Sequence, residues 1–496
     1  MTSVDTARPQ ASVTLNPLRW RRKWLDMDRN EAVLRWAQTG WGQTILHVAF
    51  LGVLFLLPAV RTKHFVLIAI ALVLSAVLPA RRMAVLTAVG AVYFLLRPLK
   101  HEEHYLVFDE LWTSYGTSAP TQIGFVLFGL VFIAFAAAMI RNQVTRKAGF
   151  IARRPIQFML FLCVGLSAAT IALPDTHPLF PPAWIFLAYL TGSFFFLGYI
   201  LLDSRSKLAL PIGQQLGFLR PVWAATSVPF KGPAYFRKFE AGNADELAIS
   251  RLKALKLVVW ATILYWAWDI VFNRILYGGL EFPQLDDAIA ATAAGADQAV
   301  AVRWAIVGAA FLAQIIVFGA YIHAFVAVIR MAGFKVPRGM AKPLASRTIS
   351  EFWGRYLFYF KELLADFFFY PAFQRYFKRF PRLRIAFATF AAAFVGNILF
   401  DVISNSPYFA TRGFLSMIED LSSYIIYAAV LTVGLIWSQI AQKRPKPEDG
   451  WWRYDVLPRV QVIVFYALLQ VFDDTSGVVP AGERITFFFS LFGVTP

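Results

Sequence analysis

Few residues in this chain combine a reactive side chain with an apolar setting, and those few bound the chemistry open to it. His323 stands inside the long apolar stretch 303–330. Histidine titrates near neutral pH, so it can take a proton from a hydroxyl or return one to a leaving group. It also suits a plainer task there, a hydrogen bond to a nearby carbonyl. Asp401 stands within or at the edge of a second apolar stretch, 383–404. Carboxylates are rare in such places and turn toward a cavity or a partner, unless the residue simply ends the stretch at a surface. Arg355 and Asp366 fall in an aromatic segment, 352–377, where opposite charges would satisfy one another as a pair. The remaining histidines, His47, His64, His101, His104 and His177, lie near stretch ends or in connections and read as solvated or interfacial.

Several chemistries are excluded by composition. Cys163 is the one cysteine, so an intrachain disulfide and multi-cysteine zinc ligation are both ruled out, and its apolar surroundings make it a small packing residue. No Gly-rich loop ends in Gly-Lys-Ser/Thr, no His-Glu-x-x-His occurs, and no Gly-x-Ser-x-Gly elbow is present. The net charge of +18 resembles that of a nucleic-acid binder, but its lysines and arginines sit in short connections between apolar blocks. There they orient the chain in a membrane and meet anionic lipid headgroups. No nucleic-acid partner is expected, and membrane lipids are.

The elements that must position these residues are membrane helices. Only 16% of the chain is charged and 58% is hydrophobic, against roughly a quarter charged in soluble proteins. The apolar residues come in blocks rather than in one-sided stripes, the pattern of helices surrounded by lipid or by each other. A span needs about 20 mostly apolar residues. Candidate spans are 44–60, 65–80, 83–97, 122–140, 156–173, 182–202, 254–275, 303–330, 383–404, 422–441 and 457–472, with a shorter apolar tail at 485–494. The expected fold is all-α, a polytopic transmembrane bundle of about eleven spans. Residues 1–40 form a tail carrying the basic-aromatic run Trp20 to Trp24, and residues 41–496 form a single transmembrane domain.

Loop charges set the orientation. With the N-terminus in the cytoplasm, inner connections hold Arg81-Arg82, Arg141 to Arg154, the basic stretch 203–256, the segment 331–382 and Lys443 to Lys446. Outer connections hold Glu102, Glu103, Asp109, Glu110, Asp175, Asp286, Asp287, Glu419 and Asp420, and only Arg61 and Lys63 break the alternation. Segments 209–239 and 352–377 mix Gly, Pro, aromatics and charges. They would be costly in lipid, so they are read as re-entrant or interfacial pieces buried against protein.

From Phe318 to Pro371 the chain reads FGAYIHAFVAVIRMAGFKVPRGMAKPLASRTISEFWGRYLFYFKELLADFFFYP. This string resembles the central signature of the membrane-bound O-acyltransferases (MBOAT), in the branch that holds the alginate O-acetylation and teichoic-acid D-alanylation proteins. The correspondence falls on Tyr321, Gly333, Phe334, Pro337, Pro343, Ser346, Ile349, Phe352, Trp353, Arg355, Asp366 and Pro371. A weaker likeness covers Thr226 to Pro233 and Tyr235 to Phe239, and the resemblance as a whole runs over residues 220–440.

The resemblance implies a bacterial inner-membrane, cell-envelope enzyme with an MBOAT-like core. It would move an acyl group from a cytoplasmic thioester, an acyl-CoA or a carrier protein, to a hydroxyl beyond the outer face. No tightly bound cofactor is implied, and an extracytoplasmic acyl-relay or polymer-assembly partner is. Trp353, Arg355, Asp366 and Tyr321 would line the substrate path. The family's catalytic histidine falls by distance on Asn397, with Asp401 one turn beyond, and its second functional position falls on Leu357. Neither Asn nor Leu can act as a base, although an amide can donate to an oxyanion. His323, Asn397 and Asp401 therefore form the candidate catalytic set. The departure opens an alternative, an inactive MBOAT-fold scaffold or lipid-binding subunit of an envelope assembly.

Overall fold

The computed structural model describes residues 17–58, 60, 62–96, 119–146, 149–174, 176–224, 230–406, 413–442 and 445–494. Several residues used above lie outside it: Arg61, His101, Glu102, Glu103, His104, Asp109, Glu110, Asp175, Thr226 to Pro229, Lys443 and Arg444.

The described chain is all-helical. In order it comprises α1 (Pro17–Asp26), α2 (Glu31–Gln38), α3 (Gly40–Phe55), α4 (Thr62–Val77), α5 (Arg82–Leu96), α6 (Ala119–Thr145), α7 (Pro155–Ala172) and α8 (Phe180–Asp203). Then come α9 (Ala244–Trp268), α10 (Leu285–Ala293), α11 (Val300–Met331), α12 (Ile349–Tyr356), α13 (Phe358–Leu364), α14 (Tyr370–Arg375), α15 (Pro381–Phe390), α16 (Asn397–Ser404), α17 (Ser422–Ile440), α18 (Leu457–Gln470) and α19 (Ala481–Ser490), with short turns between.

Among the described residues, eight helical stretches are long and apolar enough to cross a membrane, which makes this an integral membrane protein. Three of the expected spans fall on shorter helices, α3 and α4 of 16 residues each and α18 of 14. At 1.5 Å per residue these reach about 21–24 Å, short of a hydrocarbon core of about 30 Å. Prolines set two of those limits, Pro58 following α3 and Pro79 following α4, whereas a π-helical stretch, Trp452–Val456, runs directly into α18. Span 254–275, in contrast, is lengthened. Asn243 caps α9 by accepting from Glu246 N, and a π-helical stretch, Asp269–Gly279, continues it to 36 residues.

The N-terminal tail is part of the fold from residue 17 onward. Asn30 caps α2, Ala37 is buried in the main core, and Lys256 on α9 holds both Leu25 O and Asp28. Two apolar cores result. One gathers α3 to α9 with the end of α11, and the other gathers α10, the start of α11, α12, α17, α18 and α19. Trp353 and Leu357 touch both.

Segment 332–377 folds back on the helix that precedes it. It leaves α11 at Met331, where Arg330 donates to Val336 O at 2.9 and 2.7 Å. It then doubles back along α11: Gly339 meets Ile322, Tyr356 faces Phe318, and Phe352 stacks on Phe311. From Arg330 to Phe311 this return covers about 28 Å of helix axis. Its polar backbone is met locally, as in Ala341 N to Arg355 O and Phe358 N to Gly339 O, both 2.9 Å, which makes burial tolerable. Ser350 N on Ser438 Oγ (3.1 Å) and Arg347 on Asp455 (2.5 Å) fix it to α17 and to the turn before α18.

Candidate functional site

Helix geometry separates two residues that the sequence places side by side. Tyr321 lies seven residues from Gln314, on the same face of α11, whereas His323 is rotated to the opposite face and shares its stripe with Arg330. His323 is buried, its Nδ1 has no hydrogen-bond partner, and the charges acting on it are those of Arg338 and Arg330. No carboxylate orients it as a base.

Asn397 is fully enclosed, with no exposed surface. It follows a π-helical turn, Ala391–Gly396, which packs on a second π turn, Ala365–Phe369. Its Nδ2 donates to Ala393 O at 2.6 Å, and its Oδ1 has no partner. The amide thus keeps its oxygen and one further N–H beyond that bond. Between Trp353 and the helix of Asn397 the space is filled by rings: Trp353 lies 6.4 Å from Phe360, and Phe360 lies 4.9 Å from Phe400. These residues form an aromatic septum.

The expected Arg355–Asp366 pair does not form. Arg355 pairs with Glu351 at 2.5 Å, one turn away on its own helix. Asp366 lies beyond α13, where Lys231 reaches it at 2.9 Å and Tyr199 donates to it at 3.2 Å. Lys231 also meets Glu362 at 2.6 Å, and Lys361 pairs with Glu362 as well. Burial works against the charge on Lys231, but the hydrogen bonds to Glu362 and Asp366 outweigh it and hold the ammonium above its usual range. Burial likewise opposes the Glu362 charge, and Lys231 and Lys361 outweigh it and keep that carboxyl below its usual range. The sequence signal for Lys231 was present, in the basic-aromatic run after Pro229, but nothing in the sequence paired it with residues about 130 positions away.

On the other side of the septum lies a polar recess that the sequence reading missed, Asp401 excepted. Gln314 donates to Asp473 at 3.0 Å, Gln470 donates to Gln314, and Tyr356 is hydrogen-bonded to Gln314. Tyr424 is hydrogen-bonded to Asp401 and stacks on Tyr427, with ring centroids 5.2 Å apart. Gln314, Tyr356, Asp401, Tyr427, Gln470 and Asp473 are all half-buried, retaining surface among α11, α12, α16, α17 and α18. Burial pushes the Asp473 carboxyl up to about 6, against the pull of Gln314 and Arg484. The available signal was the polar content of apolar helices, since Tyr and Gln inside spans mark functional interiors as carboxylates do.

Arg484 closes the recess at the Val300 end. Almost fully buried, it reaches Asp286 at 2.9 Å, Asp474 at 2.8 Å and Val471 O at 2.9 Å. Of the predicted site residues, Asp401 and Trp353 belong to the recess or its wall, Tyr321 lies two turns along α11 from Gln314, and Asp366 belongs to the charged network. His323 and Asn397 are enclosed, and Arg355 stands partly exposed. His47, expected to be solvated, is buried, with Nδ1 at 2.7 Å from Gln43 O.

Compared with known proteins, the chain matches no family model and no curated protein.

Proposed function

We propose that this protein is a membrane-embedded acyltransferase of MBOAT-like fold, with about eleven spans, its N-terminus in the cytoplasm and its home in a bacterial inner membrane. The observation that carries this reading is the position of the segment that folds back on α11. Tyr356 faces the recess, Glu362 and Asp366 sit in the charged network, and Trp353 and Leu357 divide the two. A transfer across the membrane needs a donor side and an acceptor side back to back.

The charged network would lie on the cytoplasmic side, where a thioester such as acyl-CoA or an acylated carrier arrives. The recess would receive the acceptor hydroxyl. Asp473 is the proposed base, because its raised carboxyl stands closer to neutrality than an ordinary aspartate. Its carboxylate takes the hydroxyl proton as the acceptor oxygen bonds to the acyl carbon. The C–S bond then breaks, and the thiolate leaves with the electron pair and recovers a proton. Asp401 and Tyr424 would hold the acceptor.

A second reading is supported by the enclosure of both Asn397 and His323, the positions expected to do the chemistry. It makes the protein a non-catalytic scaffold of an envelope assembly. Purified protein in nanodiscs, supplied with labelled acyl-CoA and acyl-carrier thioesters, separates the two. Acyl transfer predicts thioester loss that falls about 10²–10⁴-fold in Asp473→Asn and changes little in His323→Ala. No turnover with any donor, together with turnover gained by Asn397→His, replaces it with the scaffold reading.

A further inference from the structure

We infer that the turn between α14 and α15 is a binding site for anionic phospholipid, the lipid phosphates supplying the counter-charge that the protein itself lacks there. The inference stands on this turn alone and holds whether or not the protein transfers acyl groups.

The turn sits where a membrane surface must be. Helix α15 opens the stretch Pro381–Ser404, one of those long and apolar enough to cross a bilayer. The residues just before Pro381 therefore lie at the boundary between lipid and water. Ten consecutive residues, 374–383, are exposed. Among them are Arg375, Lys378, Arg379 and Arg382, and no Asp or Glu occurs between Asp366 and Asp401. None of the four has an ion-pair partner among the described residues. Other exposed cations are treated differently: Arg29 meets Asp26, and Arg274 meets Asp269. The helix dipole adds to the imbalance, because Lys378, Arg379 and Arg382 crowd the positive, N-terminal end of α15. Positive charge gathered in this way needs anions from outside, and at the end of a span phospholipid headgroups are the nearest source.

The turn is built rather than slack. Phe377 has φ +50°, a left-handed conformation that is uncommon for a bulky side chain. In it, the rings of Tyr376 and Phe377 both meet Phe387 edge-on, with centroids 5.2 and 5.1 Å away. Phe377 O accepts from Phe380 N at 3.0 Å, and Arg384 lies over the Phe373 ring at 3.8 Å. Phe380 and Leu383 stand 63% and 48% exposed beside the cations. Apolar side chains in the interfacial layer, with Lys and Arg at the level of the phosphates, hold a surface segment on an anionic leaflet. A soluble acidic protein would match the charges, but this turn borders lipid and carries apolar side chains among them.

The test is local. Phe380→Cys is introduced in a Cys163→Ala chain, labelled with bimane, and placed in phosphatidylcholine nanodiscs. These contain doxyl-labelled phosphatidylglycerol or, at equal mole fraction, doxyl-labelled phosphatidylcholine. The phosphatidylglycerol probe is expected to quench about threefold more strongly, and the preference should collapse at about 0.5 M salt. Arg375→Gln, Lys378→Gln, Arg379→Gln and Arg382→Gln together should abolish it, whereas Arg21→Gln with Arg22→Gln on α1 should leave it. Equal quenching by the two probes, or a preference that survives the quadruple substitution, overturns the inference. So does a label quenched by neither lipid but reached by aqueous iodide, which would put the turn in water and point to an acidic protein. Thermal melting confirms that each variant is folded.

Discussion

At the Met331 end of α11, Lys231 stands between Glu362 and Asp366, and Lys361 supplies a further cation. A few residues along the same segment, Tyr356 faces a recess where Asp401 and Asp473 meet tyrosines and glutamines instead. The first region neutralises charge by pairing. The second sets the Asp473 carboxylate against the Gln314 amide and the field of Arg484, and there burial prevails. Pairing favours a fixed structure, whereas a carboxylate on which burial prevails keeps the freedom to take up a proton or a hydroxyl. The aromatic septum lets these two regimes exist side by side.

Removing a counter-charge is the most damaging way to probe that contrast. Lys231→Met leaves Glu362 and Asp366 facing each other in a mostly buried site, and a loss of about 2–3 kcal/mol is expected in denaturant or thermal unfolding in detergent. Restoring stability by adding Asp366→Asn would tie the loss to the pairing, and no loss at all would deny it.

The septum itself comes next. A Cβ at Gly396 would lie 2.8 Å from Phe368 Cδ2 and 3.0 Å from Leu364 Cδ2. Gly396→Leu should therefore force the two π turns apart and cost about 2 kcal/mol, read in the same unfolding assay. An unchanged melting temperature would mean that the turns are not held in contact.

Acid should move the two regions in opposite directions. Asp473 has its folded-state carboxyl raised from 3.8 to about 6, so its contribution is fully present below the unfolded value and is lost as pH rises through about 6. Asp473→Asn should remove that slope and be more stable than the parent at pH 7.5 by about 3 kcal/mol, the gap closing near pH 4. Glu362 is held below its usual 4.5. Its contribution is present above that value and lost as pH falls through the lower folded one, and Glu362→Gln should flatten the acid limb. The same sign of slope for both variants would erase the distinction.

The smallest effect is expected at Arg355, whose pairing with Glu351 is about a third exposed at both side chains. Arg355→Ala should change stability by less than about 0.5 kcal/mol, and a larger loss would show that this arginine has a further partner.

Much of the architecture was legible in the chain, and the reason is local. A span is a run of apolar residues, and a capped helix start is a short pattern, as at Asn243 and Thr348. The segment 352–377 stands out because charges beside aromatics are costly in lipid, and the fold packs it back along α11. The site was read less well. Arg355 and Asp366 looked like partners because they share one aromatic segment, but a helical turn gave Arg355 to Glu351 and long-range packing gave Asp366 to Lys231. Tyr321 and His323 lie two residues apart, and the α-helical period sends them to opposite faces.

Residue order alone thus determined that this protein lives in a membrane, because that follows from how apolar and charged residues alternate along one strand of chain. Only the tertiary structure decided which side chains share a space. Asp473 and Asp401 are 72 residues apart and become neighbours of one tyrosine pair through the packing of α16, α17 and α18. The same packing enclosed Asn397 and His323. Burial and partnership are properties of three-dimensional neighbours, and those properties assign the chemistry.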